Sequence, residues 1–148
     1  MKVIGIAFSD LHLGEYSKFN EDNKRTLNHI RVLYLIKDLC IKYKCPAFFC
    51  GDFMHRPEFI STSLDEIIIE QFEELNRYEE FNIYGISGNH CMPKANTIEH
   101  RSPSHWANLC RRYSFLHNID FSYHDFGKFR VVGIPYIDHN NGLDGLIK

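Results

Sequence analysis

Three times in its first 90 residues this chain runs a short apolar stretch directly into a polar loop. Val3-Ile4-Gly5-Ile6-Ala7-Phe8 leads into Ser9-Asp10-Leu11-His12-Leu13-Gly14. Cys45-Pro46-Ala47-Phe48-Phe49-Cys50 leads into Gly51-Asp52-Phe53-Met54-His55-Arg56, and Phe81-Asn82-Ile83-Tyr84-Gly85-Ile86 into Ser87-Gly88-Asn89-His90. Apolar runs of this length, bounded by turn residues, read as buried strands. Between them the spacing is helical. Leu27, Ile30, Leu33, Tyr34 and Cys40 recur behind the helix-start residues Asn20 to Asn23. Leu64, Ile68, Phe72 and Leu75 share a face behind Ser63-Leu64-Asp65-Glu66, which has the spacing of a capping box. A third helix is expected over 104–112, with Pro103 in its first turn. This alternation predicts an α/β protein with parallel strands and right-handed helical crossovers. After residue 113 the pattern shifts to short strand candidates at 114–117, 119–123 and 129–135. Asp125-Phe126-Gly127-Lys128 reads as a hairpin turn and Asn140-Asn141-Gly142 as a further turn.

The strand ends carry the chemistry. They deliver Asp10 and His12, then Asp52, then Asn89 and His90, all oxygen or nitrogen donors. Open sheets bind ligands just outside the carboxyl ends of their strands. A carboxylate beside an imidazole suits manganese, iron or zinc. Each block also has a plain reading: Asp10 or Asp52 as a turn or cap residue, Asn89 in a left-handed turn, His90 packed. Three such blocks in order, each on a strand end, are not explained by those readings jointly.

Composition sets the bounds. With 148 residues and 44% hydrophobic content the chain can bury a core, and one domain over 1–148 is expected. Twelve Phe and eight Tyr argue against disorder, and a formal net charge of −2 gives no polybasic signature for nucleic acid. Five cysteines without a C-x-x-C pair suggest neither a disulfide framework nor a zinc ribbon. A reducing cytoplasmic setting is the expectation, and no apolar run approaches membrane-spanning length.

The ordered blocks D-x-H (Asp10, His12), G-D (Gly51, Asp52) and G-N-H (Gly88, Asn89, His90) resemble the calcineurin-like metallophosphoesterases. The resemblance implies a four-layer αββα β-sandwich flanked by helices, of which this chain would hold the N-terminal portion. It implies two divalent metal ions, most simply manganese. Asp10 and His12 would serve one ion, Asp52 would bridge, and Asn89 would serve the other, with the ions about 3.5–4 Å apart. His90 would face the leaving oxygen. Within the family, Ser-Asp-Leu-His-Leu-Gly, Gly-Asp-Phe-Met-His-Arg-Pro and Gly-Ile-Pro-Tyr (133–136) are similar to SbcD-like nuclease subunits of bacteria and phages. That branch implies manganese-dependent exonuclease and endonuclease cleavage of DNA. Its implied partners are an SbcC-like coiled-coil ATPase and a second copy of the chain, in the cytoplasm of a cell or of a virus's host. Arg56, Lys94 and Arg101 are candidate substrate contacts, with His100, Arg111 and Arg112 as further cations and His55 as loop surface.

Two departures accompany the resemblance. Cys91 stands where the family commonly has an acidic residue, which bears on how His90 is oriented and how basic it is. The chain also contains no Gly-His dipeptide, whereas the family completes its site with later histidines in such blocks. The expectation is that the remainder of the site lies outside these residues, further along, in a cleaved piece or in a partner chain. Two other readings stay open. One is a phosphatase or phosphodiesterase of the same family acting on a small molecule or phosphoprotein. The other is a non-catalytic remnant or regulatory subunit that works by binding a partner.

Overall fold

The computed structural model describes residues 2–14, 24–55, 61–91 and 104–136. Strands β1 (Ile6–Phe8), β2 (Ala47–Phe49), β3 (Ile83–Gly85) and β4 (Leu116–Asn118) form one parallel sheet in that order. Helices α1 (Lys24–Tyr43), α2 (Thr62–Leu75) and α3 (His105–Arg112) make the connections. The α/β expectation is met, and the parallel sheet gains one strand over it. The stretch expected to leave the pattern, 114–117, instead continues it as β4, because α3 returns the chain to the amino end of β3.

The helices show what packing added to periodicity. In α2, Leu64, Ile68, Phe72 and Leu75 are all buried, as their spacing predicts. The cap is Ser61 rather than Ser63, its hydroxyl accepting from the Leu64 N–H at 3.2 Å. In α1 the buried stripe is Thr26, Ile30, Leu33, Ile36, Lys37 and Cys40, while Leu27 is exposed. Ile30, Leu33 and Cys40 are thus buried as expected, while the rest of the stripe turns to the side of Thr26, Ile36 and Lys37. Tyr34 lies at its edge and hydrogen-bonds Gln71 and Glu74 of α2 through its hydroxyl. Ser104 caps α3, accepting from the Ala107 N–H. Pro103, Asn20 to Asn23 and Asn140 to Gly142 lie outside the described residues.

Successive strand residues face opposite ways, so the two faces of the sheet differ. Ala47, Phe49, Ile83 and Leu116 join the helices in one apolar cluster, with Trp106 packed on Phe49 at 4.8 Å between ring centroids. On the other face Phe48, Tyr84 and His117 lie in one cross-strand row. An antiparallel hairpin, β5 (Ser122–Asp125) and β6 (Arg130–Gly133), folds over that row. Its His124 and Phe126 sit 4.2 and 4.9 Å from Tyr84, and Phe126 and Phe129 pack on Phe48. The expected hairpin turn is present, with Gly127 at φ 78° and its N–H bonded to the Asp125 carboxylate. The described residues thus form helices, a four-stranded parallel sheet and a two-stranded antiparallel sheet, a mixed α/β arrangement. No described helix is long and apolar enough to cross a membrane.

Candidate metal centre

The carboxyl ends of β1, β2 and β3 open into three loops that brace one another. The Cys50 N–H donates to Phe8 O, Asp10 N–H to Gly51 O, His12 N–H to Asp52 O and Leu13 N–H to Phe53 O, at 2.8–3.1 Å. The His55 N–H returns to Leu13 O at 2.8 Å. Leu11, Leu13, Phe53 and Met54 turn inward from these loops and belong to the core. The polar residues between them are left at the rim. This arrangement is locally strained. Asp10, His12 and Asp52 have φ of 56°, 43° and 63°, in the left-handed region that non-glycine residues rarely adopt. Strain of this kind persists where surrounding structure imposes it, and it clusters at functional sites.

Two glycines permit the approach of the second and third loops. Gly51 has φ 108°, and a Cβ there would stand 2.9 Å from the Gly88 Cα. A Cβ on Gly88 would collide with the Asp52 carboxylate and its backbone nitrogen. That closeness lets the Asp52 Oδ1 accept the His90 N–H at 3.0 Å. The third loop is anchored below by Ser87. Its N–H and hydroxyl both donate to the Asp120 carboxylate, at 2.8 and 2.6 Å, and its hydroxyl meets that of Ser104. Tyr136, from the expected Gly-Ile-Pro-Tyr strand, donates its N–H to Ser87 O.

The result is two groups of side chains that could hold a metal ion. One is Asp10, His12 and Asp52, whose donor atoms all lie within 4.8 Å of one another. The His12 Nε2 is 3.5 Å from the Asp10 Oδ1, and the Ser9 hydroxyl is bonded to the other Asp10 oxygen. The second group, His12, His55 and His90, meets the same limit. His90 donates from Nδ1 to the His55 carbonyl at 3.1 Å; a carbonyl only accepts, so Nδ1 carries the hydrogen and Nε2 is the donor atom left for a ligand. Behind them His29 of α1 bonds the Leu11 backbone. Burial, with the charges of Arg25 and His12 beside it, holds His29 below the ordinary histidine range, against the effect of that bond.

Of the sequence candidates, Asp10, His12, Asp52 and His90 are brought together, and Asn89 stands exposed beside His90 in a single 3₁₀ turn, Asn89–Cys91. Arg56, Lys94, Arg101 and His100 lie outside the described residues. Arg111 and Arg112 do not border this site. Helix α3 starts at the carboxyl end of β3, where Ser104 meets Ser87. It ends toward the amino end, where the Ile83 N–H bonds Phe115 O, and this carries both arginines away. Cys91 is buried and its Sγ accepts the Phe53 N–H, so it ties the loops together, while His90 is oriented by a backbone carbonyl. His55 is the residue the sequence reading left at the loop surface. Neither protein-family models nor curated proteins give a match to this chain.

Proposed function

We propose that this chain carries the Asp10–His12, Asp52 and Asn89–His90 ligand blocks of a calcineurin-like metallophosphoesterase of the SbcD-like branch, and that its reaction is metal-dependent hydrolysis of DNA phosphodiesters. The observation that carries the reading is the convergence of Asp10, His12 and Asp52 from two strand ends, each in left-handed backbone, with donor atoms within 4.8 Å. Two carboxylates and one imidazole form an oxygen-rich set that suits manganese and similar ions. When bound, divalent ions supply a Lewis acid for the phosphoryl oxygens and a water of lowered pKa.

The chain's own residues do the rest. Asp52 is held by the His90 amide through Oδ1, which leaves Oδ2 for an ion. Asn89 adds a neutral oxygen donor for a second ion. His90, fixed at Nδ1 by the His55 carbonyl, faces the leaving oxygen with Nε2 and relays to it a proton taken up there from solvent. Leu13 and Met54, fully buried and bridged to each other, close the site from below against water. Arg56, Lys94 and Arg101 are the proposed phosphate contacts, which need only scattered cations near the ions. A coiled-coil ATPase of the SbcC type and a second copy of the chain are the proposed partners.

The test is manganese-dependent cleavage of end-labelled duplex DNA by the purified protein, in the assembly in which it is isolated. Asp52→Ala is expected to lower the rate by about 10²–10³-fold or more, the scale of losing one charge-stabilising group at the reacting centre. Cleavage unchanged in Asp52→Ala would overturn the reading, as would the absence of manganese binding by the wild type.

A further inference from the structure

We propose that His12, His55 and His90 form a second cation site, one of three imidazoles, for a borderline-soft divalent ion of the zinc class. Each histidine comes from a different strand end, after β1, β2 and β3, and all three are half-buried. The rings enclose a common space. His12 meets His90 and His55 edge-on, with centroids 4.9 and 5.8 Å apart, and His55 lies parallel to His90 at 6.0 Å. The bond from His90 Nδ1 to the His55 carbonyl fixes the tautomer in which Nε2 carries the lone pair. Metal-bound histidines characteristically make this outer bond, which also orients the ring. The His55 N–H is in turn tied to Leu13 O, so the ring that closes the group is set on a braced loop.

Three neutral nitrogen donors with an open fourth position are the ligand set of a zinc ion, and they are a poor set for manganese or magnesium, which favour oxygen. Zinc–nitrogen bonds of about 2.0–2.1 Å in tetrahedral geometry require donor separations of about 3.3 Å. From donor atoms that all lie within 4.8 Å, this needs shifts on the order of 1 Å, within the reach of side-chain rotation. The two groups share His12. One imidazole nitrogen serves one ion, so the oxygen-rich set and the three-imidazole set compete. An ion of the zinc class therefore withdraws both His12 and His90 from the hydrolytic arrangement. This competition rests on the phosphoesterase reading; the cation site itself does not.

The experiment uses the chain without a histidine tag, stripped with a chelator, in the same assembly as for the cleavage assay. Zinc affinity is measured by competition with a chromophoric chelator, manganese affinity by spin resonance of the free ion, and the coordination by the absorption of added cobalt(II). Wild-type protein is expected to give a tetrahedral, nitrogen-rich cobalt spectrum. His55→Ala and His55→Gln are expected to lose about tenfold or more in zinc affinity while manganese affinity stays within about twofold. Asp52→Asn is expected to show the reverse order of losses. An octahedral cobalt spectrum in the wild type, or zinc affinity unchanged in both His55 variants, would overturn the proposal. Retained zinc binding with no manganese-dependent cleavage would instead sink only the nuclease reading.

Discussion

The body of the parallel sheet and the loops at its carboxyl rim are contiguous in the chain, yet they follow different rules. In the body, Ala47, Phe49, Ile83 and Leu116 are at most 2% exposed and pack on Trp106, Phe72 and the buried stripe of α1. Nothing there requires unusual backbone. A few residues later, at the rim, Asp10, His12 and Asp52 hold left-handed backbone and face outward. The body is arranged for burial, whereas the rim holds backbone conformations that cost energy. The difference teaches that the strained residues are the candidates for chemistry, and that a rigid apolar floor is what keeps them strained.

The comparison is broken most severely from below. Trp106→Ala, which empties the contact with Phe49 and Phe53, is expected to cost about 3–5 kcal/mol in urea unfolding. A cost near zero would mean that the body does not support the rim. Next comes Gly88→Ala, where the new methyl has no room beside Asp52. Its expected cost is about 1–3 kcal/mol, accompanied by loss of manganese binding, because Asp52 must move. The sharpest test is smaller and has the opposite sign. Asp10→Gly removes an exposed side chain from a left-handed position and is expected to raise stability by up to about 1 kcal/mol while weakening manganese binding. A loss of both would show that Asp10 is held for the fold and not for an ion.

The smallest expected effect is on the pH dependence of the body. Burial holds His105 below the ordinary histidine value, opposed by Asp65, and burial with the neighbouring His124 does the same for His117. The unfolded chain then binds protons that the folded chain does not. Stability is therefore complete above the ordinary histidine pKa of about 6.5. It falls as pH drops below that value, and levels off once the lowered folded pKa values are passed. Thermal melting followed at pH 7.5 and at pH 5.5 is expected to give the lower midpoint in acid. Equal midpoints in the two buffers would rule the linkage out.

Much of the body was legible as pattern. The Leu64, Ile68, Phe72 and Leu75 stripe of α2 needed only the 3.6-residue period, and the Gly127 turn needed only its turn chemistry. The pattern misled where two apolar faces were nearly equivalent. Leu27 fits helical spacing as well as Thr26 does, but the neighbouring elements cover Thr26, whose hydroxyl also bonds Gly14 O. Strand β4 was read as the start of a new pattern because three residues, Leu116–Asn118, carry little signal of which neighbour they will join. The choice of Ser61 over Ser63 as cap likewise depended on where the chain enters the helix.

The rim divides in the same way. Asp10, His12, Asp52, Asn89 and His90 were visible because their residue types recur at strand ends, a local property that a sequence carries by itself. The sequence by itself also determined the α/β alternation and the apolar floor beneath the loops, since both follow from short-range periodicity. Three things were decided only by the tertiary structure: the place of His55 beside His12 and His90, the tie of Ser87 to Asp120 and Ser104, and the removal of Arg111 and Arg112 to the other end of the sheet. Each depends on how distant segments cross and in which direction they run. A residue's own neighbours in the chain hold no information about that, because it is settled by the packing of the whole core.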